Sequence, residues 1–128
     1  MSLLLFMGVF LAGGVGAWLR FTVDSFIKSR IVSSIPLGTF LINLIGSFVL
    51  GMLTGAGTLL VENLGSFTAH TFTLLLGTGL LGGFTTFSTA MVEVVTAVSR
   101  RRPVVSLFLW LGQAIVCIGA AALGLVIF

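Results

Sequence analysis

The sequence predicts an all-α integral membrane protein, and three observations carry that prediction. Hydrophobic residues make up 58% of the 128-residue chain and charged residues 7%, with a mean hydropathy of +1.29; a soluble domain is far more polar. The charges stand at a few points, Arg20, Asp24, Lys28, Arg30, Glu62, Glu93 and Arg100-Arg101-Arg102. Nearly all the stretches between them reach the length of about 20 apolar residues that crosses a bilayer as a helix. Four spans then use almost the whole chain, giving a single transmembrane domain over residues 1–128. Third, the run Gly77-Thr78-Gly79-Leu80-Leu81-Gly82-Gly83-Phe84-Thr85-Thr86-Phe87-Ser88-Thr89 predicts a break in the third helix, because Gly loses backbone entropy and Thr is β-branched. In lipid, freed backbone groups must be hidden in protein or turned to water or an ion. The break is therefore a candidate functional site.

Span one covers residues 3–19, with Gly8, Gly13, Gly14 and Gly16 for close helix contact and Trp18 with Arg20 marking an interface. No basic residue precedes its apolar run and more membrane follows, so a retained span is expected rather than a cleaved signal peptide. Arg20 has two readings, a snorkelling anchor or a group in a polar vestibule. Residues 21–36 form a connector whose Asp24, Lys28 and Arg30 suggest a short amphipathic surface helix, closed by Ser33-Ser34-Ile35-Pro36.

Span two runs over residues 37–60. Its Asn43 is too polar to face lipid and points either at a neighbouring helix or at a wet path, and Gly51 with Gly55 forms a GxxxG pair. A connector at 61–69 precedes span three, residues 71–98, which carries the break and, near its end, Glu93. Glu93 is an interfacial acid facing the basic cluster or a group at a pore mouth. Span four, residues 104–128, has Gln113 as its one strongly polar side chain. Cys117 has no partner in the chain for a disulfide and reads as a packing residue. His70 lacks the neighbours a metal site needs.

Four spans put residues 21–36 and 99–103 on one side of the membrane, and every Lys and Arg lies there or at its border. The positive-inside rule makes that side cytoplasmic and both termini extracytoplasmic, in the cell membrane. The net charge of +3 comes from these clusters and does not imply nucleic-acid binding. No catalytic constellation, metal-ligand spacing or phosphate loop is present, so an enzyme is not expected. What remains at membrane depth is Asn43, hydroxyls, aromatic edges and glycine backbone. Neutral donors and ring edges suit a partly dehydrated small anion, and carbonyls at a helix break suit a cation. A proton-coupled exporter would need a membrane-embedded carboxylate, which spans one, two and four lack.

Gly13-Gly14-Val15-Gly16-Ala17-Trp18-Leu19-Arg20, Gly38-Thr39-Phe40-Leu41-Ile42-Asn43-Leu44-Ile45-Gly46 and Gly82-Gly83-Phe84-Thr85-Thr86-Phe87-Ser88-Thr89 together resemble the Fluc (CrcB) fluoride channels, over essentially the whole chain. The resemblance implies an antiparallel dimer of four-helix subunits that passes fluoride out of the cell passively through two pores. It implies a structural sodium ion at the dimer centre, held by the backbone carbonyls of Gly82 and Thr85. It places Asn43, Phe87, Ser88 and Thr89 along the anion path, and Arg20 and Glu93 at matching vestibule or structural positions.

The chain departs from that pattern where the family usually has a second phenylalanine, here Ala90, and often a serine, here Met91. Cys117 and Ala121 stand near positions where the fourth helix commonly offers hydroxyls. A homodimer must insert in both orientations, whereas this charge distribution favours one. The two observations together suggest pairing with a paralogous subunit of opposite charge bias. A non-conducting auxiliary subunit is the main rival reading, and a small proton-coupled exporter a lesser one.

Overall fold

The computed structural model describes residues 2–32 and 35–128; the Ser33-Ser34 punctuation lies outside them. Among the described residues all regular structure is helical, and four helical stretches are long and apolar enough to cross a membrane: Leu3–Arg30, Leu37–Gly55, Ser66–Ser99 and Pro103–Val126. The expected architecture is present, and several boundaries move.

Helix α1 is continuous over Leu3–Arg30, 28 residues, so the separate surface helix expected after Arg20 does not exist. No Gly or Pro interrupts residues 17–30, and an Asp24–Lys28 pair at 2.7 Å supports the last turns at the favourable i,i+4 spacing. At 1.5 Å per residue α1 is about 42 Å long, so it outruns a hydrocarbon core of about 30 Å. Ser2 caps its start, its hydroxyl accepting from the Leu5 amide at 3.2 Å.

Helix α2, Leu37–Gly55, ends five residues short of the expected span. It turns at Ala56 into a short helix α3, Gly57–Leu64, and the chain reverses at Gly65, whose φ of 81° suits glycine. The expected connector is thus mostly helical, because α4, Ser66–Thr73, begins directly afterwards. The third span continues through a widened, π-type stretch, Leu74–Leu81, in which the Gly82 amide reaches the Gly77 carbonyl five residues back. One more helical turn, α5 at Gly82–Phe84, precedes the break, and α6, Ser88–Ser99, resumes after it. Gly77 and Gly79 therefore sit in widened helix and Gly82 and Gly83 in the α-helical turn after it, and the interruption itself is Thr85-Thr86-Phe87. The fourth span starts at α7, Pro103–Leu107, widens over Phe108–Gly112 and ends in α8, Gln113–Val126.

Two glycine seams hold the bundle together. Gly51 and Gly55 of α2 lie against the carbonyls of Ala121 and Leu125 in α8, and Gly124 returns the contact against the Phe48 carbonyl. On the other side, Gly16 of α1 lies against the Leu80 carbonyl, and Gly83 against that of Gly13. Lipid tails are as apolar as leucine, so membrane helices associate through such backbone approach rather than hydrophobic burial. Among the described residues no side chain caps the start of α2. There the Asp24 carboxylate of α1 packs against Gly38, at the end where the helix dipole favours negative charge.

A Cβ at Gly51 has no room against the Ala121 carbonyl. Gly51→Leu is expected to separate α2 from α8 at a cost of about 1–3 kcal/mol, read as a lower thermal midpoint in detergent. Gly57→Ala, with open space around it, leaves that midpoint nearly unchanged.

Candidate functional site

The break is stitched to α2 by one side chain. In unbroken helix the Thr86 amide would bond to the Gly82 carbonyl; instead it donates to Asn43 Oδ1 at 2.8 Å. Asn43 Nδ2 donates back to the Thr86 carbonyl at 2.8 Å and to Gln113 Oε1 at 2.6 Å. The backbone fixes the orientation of both amides. An N–H from Thr86 requires an oxygen, its carbonyl requires an N–H, and the Asn43 nitrogen then requires the oxygen of Gln113. Gln113 Nε2 in turn donates to the Leu109 carbonyl at 3.4 Å, inside the widened turn of the fourth span. The broken third helix, α2 and the fourth helix thus meet in one polar relay at membrane depth.

The Thr86 hydroxyl accepts from the Thr89 amide at 3.3 Å and donates to the Thr89 hydroxyl at 3.2 Å, with Ser88 Oγ at 3.4 Å. It thereby restarts the helix at α6, the capping role that hydroxyls fill well. On the upstream side, the Thr85 hydroxyl returns to the Leu81 carbonyl at 2.9 Å.

A cavity of about 390 Å³ lies beside the break, walled by α2 and by both widened stretches. Gly82, Thr85, Asn43 and Phe87 line it, as do Ser47, Gln113 and Cys117. Phe87 is 77% exposed, at its rim rather than within. Ser88 and Thr89 are exposed on the first turn of α6 and are not part of its lining. Ala90, only 3% exposed, faces the cavity together with Met91.

Arg20 and Glu93 stand outside this space. Arg20, half-buried on α1, brings Nη1 to 3.5 Å from the Thr85 carbonyl, so it addresses the break. Glu93 accepts from the Thr39 hydroxyl at 2.7 Å and lines a second cavity of about 250 Å³ that also holds Arg100 and Arg102. It faces the basic cluster and is tied to α2. Its other oxygen, Oε2, is buried without a hydrogen-bond partner among the described residues.

Sequence reasoning assigned no role to two buried partners of these groups, Thr39, which binds Glu93, and Gln113, which binds Asn43. The signal for Thr39 was its position four residues before Asn43, on the same helical face. For Gln113 it was its isolation as the strongly polar residue of the last span. Cys117 is half-buried with a free thiol, and among the described residues no cluster of metal-ligating side chains exists.

Four apolar spans, the third of them interrupted, define a small polytopic membrane protein, with a mostly apolar cavity at the interruption into which a few polar side chains reach. Residues 7–125 match the family described as CrcB-like protein, Camphor Resistance (CrcB). The chain is similar to fluoride-specific ion channel FluC 1 of Leifsonia xyli subsp. xyli, 41% identical over 98% of this chain and 87% of the relative. It is also similar to FluC 2 of Cutibacterium acnes, 45% identical over 91% of both chains, and to FluC 3 of Bifidobacterium longum, 40% identical over 88% of this chain and 89% of the relative. The chain belongs to the CrcB-like family.

Replacing Asn43 by Leu strands the Thr86 N–H and C=O, and each buried polar group left unpaired costs about 1–3 kcal/mol. Hydrogen exchange at the Thr86 amide is expected to speed up by at least about tenfold in Asn43→Leu, since 1.4 kcal/mol of local opening corresponds to a factor of ten. Asn43→Asp, which keeps the acceptor for that amide, gives a smaller acceleration.

Proposed function

We propose that this chain is a subunit of a fluoride-selective channel that lets cytoplasmic fluoride leave the cell passively. The observation that carries the reading is the Thr85-Thr86-Phe87 break, stitched by Asn43 beside a mostly apolar cavity that Gln113 also lines, in a chain whose relatives are named as fluoride-specific ion channels. Along the path, Asn43 shapes the wall, Phe87 offers its positive ring edge at the rim, and the hydroxyls of Ser88 and Thr89 continue the track on the outer face of α6.

The partner in this reading is a second subunit packed antiparallel in the cell membrane, with both termini of this chain extracytoplasmic. The exposed Phe87, Ser88 and Thr89 are available to such a partner. Basic residues confined to one side bias insertion to one orientation, and Ala90 supplies no second aromatic ring. Both favour a paralogous partner of opposite charge bias, which would contribute the missing ring. Ala90 and Met91 also support a second reading, in which the chain is an auxiliary subunit whose own path does not conduct.

A structural sodium ion fits the oxygens at the break. The Gly82 carbonyl loses its usual amide because the Thr86 N–H goes to Asn43, and Gly82 is exposed on the subunit surface. The Thr85 carbonyl meets Arg20 Nη1 at 3.5 Å, and its second lone pair remains for a hard cation, which prefers oxygen ligands. One chain offers two such oxygens, and an equivalent partner would double the set. Bound there, sodium would add a fixed positive charge beside the anion path.

The test is fluoride efflux from proteoliposomes, measured with a fluoride electrode for the chain alone and for the chain co-expressed with a paralogue. Fast fluoride-selective efflux with the paralogue, and little without it, is the expected result. Efflux in neither preparation removes the channel reading. Fast efflux from the chain alone, with cysteine labelling of both orientations, removes the paralogue requirement and leaves the channel intact.

A further inference from the structure

A carboxamide side chain has two N–H hydrogens and one acceptor oxygen, and at Asn43 all three are committed. The oxygen receives the Thr86 amide at 2.8 Å, and the two hydrogens go to the Thr86 carbonyl at 2.8 Å and Gln113 Oε1 at 2.6 Å. Asn43 therefore has no hydrogen left for an ion in the cavity. Gln113, 6% exposed, lines the same cavity. Its oxygen is taken by Asn43 and one Nε2 hydrogen by the Leu109 carbonyl at 3.4 Å. Among the described residues its second Nε2 hydrogen has no partner.

Nearby polar groups are turned to one another. The Thr86 hydroxyl is engaged with Thr89 and Ser88, and Ser47 and Cys117 line the same wall. The relay also hides the acceptor oxygens of both amides, Asn43 Oδ1 and Gln113 Oε1, so what the pair has left to present is an N–H. Where the Asn43–Gln113 pair faces the cavity, a free donor is shown and the amide oxygens are engaged, which favours an anion over a cation at that point.

We propose that Gln113 is the residue that presents an amide N–H to the anion in this chain, and that Asn43 is the positioning residue that fixes its orientation. Asn43 does so by taking Gln113 Oε1, which in a planar amide leaves Nε2 for the carbonyl of Leu109 and for the passing ion. The assignment rests on the channel reading and deepens it by moving the anion contact from α2 to the fourth helix.

The test uses the wild-type chain in its conducting assembly, with fluoride efflux from proteoliposomes as readout, and compares Gln113→Ser with Gln113→Ala. The two variants differ by one hydroxyl donor and leave nearly the same volume empty. Both release Asn43 Nδ2 from Gln113 and give it back a free hydrogen. If Gln113 supplies the anion contact, the Ala variant loses at least about tenfold in efflux relative to wild type, the value of one buried hydrogen bond to a charged group. The Ser variant then conducts several-fold faster than Ala. If Asn43 is the contacting donor, the freed hydrogen sustains conduction. Equal rates for Ser and Ala, or an Ala variant within threefold of wild type, overturn the proposal. Thermal midpoints of the assembled variants within a few degrees of each other assign the difference to conduction, and an Ala loss matched by a collapse in assembly that Ser shares overturns it. No efflux from wild type removes the channel reading first, and this assignment with it.

Discussion

A helix interrupted within a membrane has to satisfy its own loose backbone, and the rest of this structure follows from how that is done. Water is absent from the hydrocarbon region, so an unpaired N–H or C=O there costs several kcal/mol. At Thr86 a single asparagine takes both groups, in the reciprocal pattern that a neighbouring strand would offer. That arrangement requires α2 to lie at a fixed height beside the third span. It also requires something on the far side to hold the asparagine, which Gln113 supplies from the fourth helix. Three of the four spans are thereby registered to one another by a chain of amides.

Such registration is possible only because the helices approach at backbone distance. Gly51 and Gly124 bring α2 onto α8, and Gly16 and Gly83 bring α1 onto the third span. The composition, with 17 glycines in 128 residues, would weaken a soluble helical domain. In lipid the same residues serve packing, and hydrogen bonding rather than glycine freedom shapes the interruption. The widened turns of the third and fourth spans both border the cavity, in keeping with the association of π-type turns with functional positions. They loosen each helix where polar groups gather.

The charged groups form a second organised layer towards the basic side of the membrane. Asp24 sits on the first turn of α2 and pairs with Lys28. Thr39, one residue past Gly38, binds Glu93, which shares its cavity with Arg100 and Arg102. From the break towards the basic loops the lining thus passes from neutral amides to charged groups in two separate cavities. Arg20, reaching Thr85 from α1, brings the one cation among the contacts described at the break itself.

The class of the protein, its four spans and an interruption of the third were legible in the sequence. Hydropathy, charge spacing and a concentration of Gly and Thr report directly on transfer free energy and on backbone preference, both local properties. The same locality explains what was misplaced. The glycines looked like the break, yet Gly77 to Gly83 remain helical, the first part in widened form, and the interruption falls at Thr85-Thr86-Phe87. The connector after Arg20 looked separate, yet nothing in residues 21–30 stops a helix, and α1 runs through. Asn43 was recognisable as a polar residue needing a partner. Which of its atoms were spent, and that Gln113, 70 positions along the chain, would complete the relay, was decided only by tertiary structure, because hydrogen-bond partners are set by which helix faces meet and at what height.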